Sequence, residues 1–220
     1  METAARDAGH DKEAVVGTIL KVPHIEQTDE WPAGDECLCA VMLLRYLGIR
    51  ISVNEFVDFF LPQGQMRRKE GQLSGPDPDK EFAGSPYDRN SYGCYPGVLI
   101  KAMNDCFAQK GLSYKAEDAT GRSTDELLAE GINKGVPVIY WASEGMKPTH
   151  PGYSWVCKKD GRTIRWIDGA QSMLLIGSDV NELVFNDPMK TEGTAHYSRM
   201  TAVKRHAELD KRAVIVRLGL

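Results

Sequence analysis

The chain has 220 residues, of which 26% are charged and 42% are hydrophobic, and its formal net charge is −4. This length suits one domain, and the composition is typical of a soluble globular protein. A slight acidic excess argues against nucleic-acid binding, which needs clustered Lys and Arg. No apolar run approaches the ~20 residues of a membrane span, so we expect no membrane partner.

The first sixteen residues are polar and lack hydrophobic periodicity. We therefore expect a flexible N-terminal arm over 1–16 and a single domain over 17–220. The arm has no apolar core of the kind that a signal peptide needs, which predicts a cytoplasmic location. A leader that has already been removed is the open alternative. The five cysteines are an odd number, so they cannot all pair within one chain.

The predicted elements begin with a short strand or extended lead-in over 17–23. A buried helix follows over 35–47, because apolar side chains recur there at intervals of three and four residues. Asp35 and Glu36 would favour the positive N-terminal end of that helix. A second, shorter helix starts at Ser52, where the sequence Ser-Val-Asn-Glu has the pattern of a capping box.

A long connection over 61–95 follows, with four prolines and five glycines. A connection of this length inside a compact domain is usually functional or disordered. A flexible insertion and a loop that docks a partner are both open hypotheses at this point. We expect its basic cluster at 67–69 to be a solvated face.

The second half of the chain is rich in predicted strands. Pro96 suits the first turn of a helix over 96–110, and a second capping box begins at Ser123. An Asp-Gly turn then separates two of five strands, and a short helix precedes the last strand. The strands cover 136–142, 153–157, 162–167, 172–177 and 183–186, the helix 200–209 and the last strand 213–218. Helices first and strands last indicate an α+β fold, with a mostly antiparallel sheet packed on helices.

Seven strings of sequence occur in an order and spacing typical of one family. They are VPHIEQ, WPAGDECLCAVMLLRYLGI, ISVNEFVDFFLPQG, PYDRNSYGCYPGVLIKAMN, KGVPVIYWAS, WIDGAQSMLLIGSD and LVFNDPMK. Together they resemble the peptidase C39-like family, a branch of the papain-like cysteine peptidases, from about Val22 to Val216. The resemblance implies a papain-like α+β fold, in which an active cleft separates an N-terminal helical part from a C-terminal sheet.

The resemblance also implies roles for four positions. In the family, a Cys at the start of the first long helix is the nucleophile and a His ahead of an apolar strand is the general base. An acid orients that His, and an upstream Gln donates to the oxyanion. In this chain the nucleophile position is Asp35, the base position Gln171, the orienting acid Asp187 and the oxyanion donor Gln27.

Both reactive residues are therefore replaced. A carboxylate is not a thiolate, and a glutamine cannot take up a proton at physiological pH. We expect a catalytically degenerate member that needs no cofactor and binds a peptide or a small, cationic ligand in the former cleft. The oligomeric state stays open. Further residues expected to bind the ligand are Trp31, Glu36, Tyr92, Cys94, Tyr95 and Asn186.

An active peptidase, amide hydrolase or acyl-transfer enzyme is the alternative function. It would use a non-standard nucleophile, either Asp35 itself or one of the nearby cysteines. For Cys37, Cys39 and Cys94 we expect a buried packing role, as is common for free cysteine. None of the five histidines adjoins the base position, so an imidazole in place of the missing base is not expected.

A metal ion is a further alternative. Asp35, Gln171 and Asp187 would offer oxygen atoms to a hard cation if the fold brings them together. We expect instead that Gln171 forms a hydrogen bond with one of the two carboxylates. The sequence has no compact zinc motif, so we predict no metal site.

Overall fold

The computed structural model describes residues 17–219. The arm predicted over 1–16 lies outside these residues. The described chain forms an α+β fold in which helices pack against a large antiparallel sheet, as the sequence predicts. Its α-helices are α1 (Asp35–Tyr46), α2 (Val53–Phe59), α3 (Pro96–Gln109), α4 (Thr124–Glu130) and α5 (Arg199–Glu208).

Twelve strands are distributed over three sheets in this part of the chain. The first four belong to the connection between α2 and α3: β1 (Gln63–Gly64), β2 (Arg67–Lys69), β3 (Gln72–Gly75) and β4 (Phe82–Ala83). The other eight are β5 (Tyr114–Asp118), β6 (Val138–Ser143), β7 (His150–Cys157), β8 (Thr163–Asp168), β9 (Ala170–Ser178), β10 (Glu182–Asn186), β11 (Thr194–Ser198) and β12 (Ala213–Leu218).

The large sheet has the strand order β11-β10-β9-β6-β12-β5, and every neighbouring pair is antiparallel. Helix α1 packs on its central strands β6 and β9. A smaller sheet has the order β2-β3-β7-β8, with β3 and β7 parallel, and β1 pairs with β4. None of the helices in residues 17–219 is long and apolar enough to cross a membrane.

Helix α1 is buried on almost all sides. Nine successive residues, from Glu36 to Leu44, are buried, so the helix has no wide polar face. Small side chains such as those of Cys37, Cys39 and Ala40 let neighbouring elements approach it closely. The first residue of this central helix is consequently held at a fixed position against the sheet.

Both predicted capping serines cap their helices, but only α4 has the complete capping box, and α2 has half of it. The Ser52 side chain accepts a hydrogen bond from the Glu55 amide at the start of α2. At the start of α4, Ser123 and Glu126 form the complete reciprocal capping box. Each cap satisfies amide groups that have no partner within the helix.

The sequence analysis missed two strands at the edges of the large sheet, β5 and β11. Only Ala116 of β5 is buried, and no residue of β11 is buried. Edge strands with so little apolar burial lack the hydrophobic signal on which strand prediction rests. The lead-in over 17–23 is extended rather than a full strand, with a single bridge between Ile19 and Gly177.

The hypothesis of a flexible insertion over 61–95 is wrong. The segment forms four short strands, and Phe82 and Ala83 are fully buried. It is also tied to the body of the protein, because the indole N–H of Trp155 donates to the Pro76 carbonyl at 2.8 Å. The prolines and glycines of this segment shape tight turns between short strands.

Candidate functional site

Asp35 lies where helix α1 begins, and its partly buried side chain faces strand β9. Its Oδ2 accepts a hydrogen bond from the backbone N–H of Ser172 at 2.6 Å. Burial raises the pKa of Asp35 from its ordinary 3.8 to about 6, although the Ser172 amide works in the opposite direction. This carboxyl group therefore titrates close to neutral pH.

Asp187 follows the end of strand β10 and is buried. Its Oδ1 accepts from the side-chain amide of Gln171 at 2.6 Å and from the Met189 backbone N–H at 2.9 Å. Its Oδ2 accepts from the Tyr197 hydroxyl at 2.8 Å. Both carboxylate oxygens are thus engaged, and the predicted hydrogen bond between Gln171 and a carboxylate is present.

Gln27 lies on the loop before α1, next to the chain that follows Asp187. Its backbone N–H donates to the Pro188 carbonyl at 2.7 Å, and its side-chain amide donates to the Pro32 carbonyl at 2.9 Å. The ring nitrogen Nε2 of His24 lies 3.0 Å from the Asp187 carbonyl oxygen. These contacts join the pre-helix loop to the end of β10, so the four positions singled out by the resemblance form one connected group.

Two amide oxygens at this group have no hydrogen-bond partner among the described residues. They are Oε1 of Gln27 and Oε1 of Gln171, and both oxygen atoms are buried from solvent. Each of these amides uses its nitrogen as a donor elsewhere, to Pro32 and to Asp187. In this group the amide nitrogens are therefore committed as donors, and the two amide oxygens remain unsatisfied acceptors.

Glu36 is buried beside Asp35. Burial and then the charge of Asp35 raise the pKa of Glu36 well above 4.5. Its Oε1 accepts from the Cys94 backbone N–H at 2.9 Å, which anchors the end of the 61–95 connection to α1. The other carboxyl oxygen of Glu36, Oε2, is buried and has no hydrogen-bond partner among the described residues.

The cysteines near Asp35 are poor nucleophiles. Cys37, Cys39 and Cys94 are completely buried, and burial raises the pKa of each thiol well above 9.0. The Ser172 hydroxyl also donates a hydrogen bond to the Cys39 sulfur, with an Oγ–Sγ distance of 3.6 Å. Nucleophilic cysteines need the opposite conditions, an exposed position and a lowered pKa.

Several residues predicted to bind a ligand belong to the interior of the protein. Glu36, Cys94 and Asn186 are buried, and the Asn186 amide donates to the Val22 carbonyl at 3.0 Å. Tyr95 is buried against Trp166, with ring centroids 5.2 Å apart. The prediction of these positions rests on the family resemblance and on nearness along the chain, neither of which carries information about exposure.

Two of the predicted ligand-binding aromatics are partly exposed but point to different neighbours. Tyr92 packs on Trp155 of the small sheet at 5.0 Å between ring centroids. Trp31 lies in the turn before α1, and its indole N–H donates to Asn54 at 2.7 Å. Trp31 therefore lies next to the site in the chain, whereas Tyr92 belongs to a separate aromatic cluster on the small sheet.

An open cavity of about 440 Å³ adjoins the group, with Gln27, Pro32 and Met189 in its wall. The wall also includes the acidic residues Glu26 and Asp29 and one cation, Arg89. The Arg89 guanidinium pairs with Asp29 at 2.6 Å. An acidic excess thus remains at this cavity. In residues 17–219, no three His, Cys, Asp or Glu side chains are arranged to hold a metal ion.

Sequence reasoning missed three groups that hold the site together. Ser172 positions Asp35 through its backbone, and Tyr197 and the Met189 amide position Asp187. Every residue except proline has a backbone N–H, so the residue type does not reveal which backbone group is a donor. Tyr197 lies on the edge strand β11, which the hydrophobic pattern did not reveal.

A central helix starts against an antiparallel sheet, with Gln171 on β9 and Asp187 directly after β10, and this arrangement is a papain-like fold. The chain belongs to the Peptidase_C39 like family, whose sequence pattern matches residues 19–213. No curated protein sequence matches the chain significantly.

A solved structure shows the same fold. The crystal structure of a Bacillus anthracis protein named as a C39-like peptidase superposes with a TM-score of 0.78. The two chains are 23% identical, and the match covers 91% of this chain and 97% of the other. At this level of identity the likeness establishes the fold.

Proposed function

We propose that this protein is a catalytically degenerate member of its family, which binds a cationic peptide or small ligand in the former active cleft. The observation that carries the proposal is Asp35 at the nucleophile position, at the start of α1, held by the Ser172 amide. A carboxylate in this place supplies a fixed negative charge where a thiolate would supply a reactive sulfur.

The base position supports the loss of cysteine-peptidase chemistry. Gln171 donates its amide nitrogen to Asp187, the acid that would otherwise orient an imidazole. A glutamine in this position can keep the hydrogen bond to Asp187, but its amide does not take up a proton at physiological pH. With Cys37, Cys39 and Cys94 buried, no thiolate–imidazole pair is available near Asp35.

The polarity of the site indicates the ligand. Asp35, which is only partly buried, would receive the N–H groups of an ammonium or guanidinium. Glu26 adds negative charge to the wall of the adjoining cavity. A peptide with a free N-terminus and a small primary amine share this chemistry.

The proposal is tested by calorimetric titration with triglycine amide and with its N-acetylated counterpart. We expect the free ammonium form to bind the parent and the acetylated form to bind at least about tenfold more weakly, since it lacks the charge. Asp35→Asn should weaken binding of the ammonium form to a similar degree. Asp105→Asn is the matched control, because Asp105 is an exposed partner of Lys101 on α3.

Equal affinity of the two peptides, or equal affinity of parent and Asp35→Asn, would overturn the proposal. So would release of cleaved peptide in mass spectra of the mixture. That last result favours the second candidate, an acid–base hydrolase that uses Asp35, whose pKa of about 6 suits proton transfer near neutral pH. In that case Asp35→Asn would abolish cleavage and Asp105→Asn would not.

A further inference from the structure

A second cavity, of about 570 Å³, opens between the 61–95 connection and the turn after β7. Its wall shares no residue with the cavity beside Gln27. The volume lies in the range of small-molecule sites. Strands β1 and β2 contribute one side of this second cavity, and the β7–β8 turn contributes the other.

The charges of this cavity are opposite to those of the cleft. Four cations line it, against two acidic side chains, in a chain whose net charge is −4. The cations are Arg67, Lys80, Lys158 and Lys159, and the acidic residues are Asp77 and Glu81. Within residues 17–219, none of the four cations lies within 4.0 Å of a carboxylate oxygen, whereas Asp77 is already paired with Arg162.

Two of the four cations, Lys158 and Arg67, are anchored at the cavity by hydrogen bonds to Gln65. The Lys158 ammonium donates to the Gln65 carbonyl, and the Lys158 backbone N–H donates to the Gly75 carbonyl at 2.9 Å. The Arg67 guanidinium donates to the Gln65 side chain at 3.3 Å. Burial and then the charge of Arg67 lower the pKa of Lys158, and the charge of Glu81 works in the opposite direction.

The floor of the cavity is close-packed. A Cβ atom added at Gly64 of β1 would lie 2.6 Å from the Pro76 side chain, so any larger residue there would push the two segments apart. Pro76 is buried and its carbonyl is fixed by Trp155. The cavity is thus a shaped pocket between two ordered segments with a surplus of positive charge.

We propose that this basic cavity binds a small, multiply charged anion through phosphate or carboxylate groups. The planar guanidinium of Arg67 can bind two oxygens of such a group at once, and the lysines supply compact charges around it. Four unpaired cations around one pocket favour a ligand with more than one negative charge. This site is independent of the proposed function of the cleft.

The test is calorimetric titration with pyrophosphate and with citrate at physiological ionic strength, where weak nonspecific attraction is screened. We expect at least one of them to bind the parent and the double variant K158Q/K159Q to bind it about tenfold more weakly. The matched control is R68Q/K69Q, which removes two charges from the adjacent edge strand outside the cavity wall. It should bind within about twofold of the parent.

A second variant, K80Q/K159Q, keeps the Lys158–Gln65 hydrogen bond. It therefore separates the loss of charge from any structural damage that K158Q causes. It should also bind about tenfold more weakly, with an unchanged melting temperature. Binding of pyrophosphate alone identifies a phosphate ligand, and binding of citrate alone identifies a carboxylate ligand. The proposal is overturned if neither ion binds or if all three double variants lose the same affinity.

Discussion

The two ends of the candidate site hold their carboxylates in different ways. At the end of β10, Asp187 is buried and receives three donors, from Gln171, Met189 and Tyr197. At the start of α1, Asp35 is partly exposed, and burial rather than hydrogen bonding dominates its pKa, which rises to about 6. The first carboxylate has three donors that stabilise it, whereas burial makes the negative charge of the second one costly to keep.

The largest effect should come from removing Asp187. Asp187→Ala leaves the Gln171 amide, the Met189 N–H and the Tyr197 hydroxyl without their acceptor in a buried place. We expect a loss of about 3 kcal/mol in the free energy of unfolding, measured by urea denaturation. Asp187→Asn, which keeps one acceptor oxygen, should lose less. If Asp187→Ala is as stable as the parent, the contrast between the two carboxylates is wrong.

The second effect concerns restored reactivity. Asp35→Cys combined with Gln171→His places a thiol at a helix N-terminus and an imidazole beside Asp187. We expect alkylation by iodoacetamide at neutral pH about tenfold faster than in either single variant, since thiol and base act as a unit. The native cysteines are buried and should contribute little background. A double variant no faster than Asp35→Cys would mean that the cleft no longer accommodates the pair.

The third effect is a pH dependence of stability that belongs to Asp35. Its pKa is raised from 3.8 to about 6 in the folded protein, so the folded state binds this proton more tightly than the unfolded state. Below about pH 4 both states are protonated and the cost vanishes. As pH rises towards 6 the folded state loses stability, and the loss persists at higher pH.

Asp35→Asn removes that cost. Above pH 6 the variant should be more stable than the parent by roughly 1–3 kcal/mol, and the difference should close as the pH falls to about 4. Urea denaturation of both proteins across this range provides the measurement. A difference that is independent of pH would show that burial does not raise the pKa of Asp35.

The smallest effect is that of Tyr197→Phe, which removes one of the three donors to Asp187 and leaves its Oδ2 without that partner. We expect a loss of about 1 kcal/mol in the free energy of unfolding. Tyr153→Phe, at an exposed tyrosine of β7, is the matched control and should change little. Equal losses in the two variants would remove Tyr197 from the group that holds Asp187.

The sequence was informative wherever a local pattern determined the structure. The start of α1 at Asp35, the cap at Ser123 and the last strand, β12, follow from spacing and capping residues alone. The hydrogen bond between Gln171 and Asp187 was also predictable, because two adjacent strands bring an amide and an acid together.

What the sequence could not reveal depends on contacts between distant segments. The order of the 61–95 connection rests on its packing with Trp155 and Glu36, which lie far away along the chain. The burial of Cys94 and Tyr95 follows from that packing and not from their own sequence. Likewise, the basic cavity unites residues of two segments, and only one of its cations falls in the basic cluster at 67–69.

The Ser172 amide has a further use as a spectroscopic reporter. Its N–H points at the Asp35 carboxylate across 2.6 Å, and Ser172 itself is fully buried in the central sheet. The chemical shift of this one amide proton therefore follows the charge on Asp35, both when the carboxyl group takes up a proton and when a cation arrives beside it. A single resonance in an ¹⁵N-labelled sample thus records the state of the cleft while the rest of the sheet serves as its internal reference.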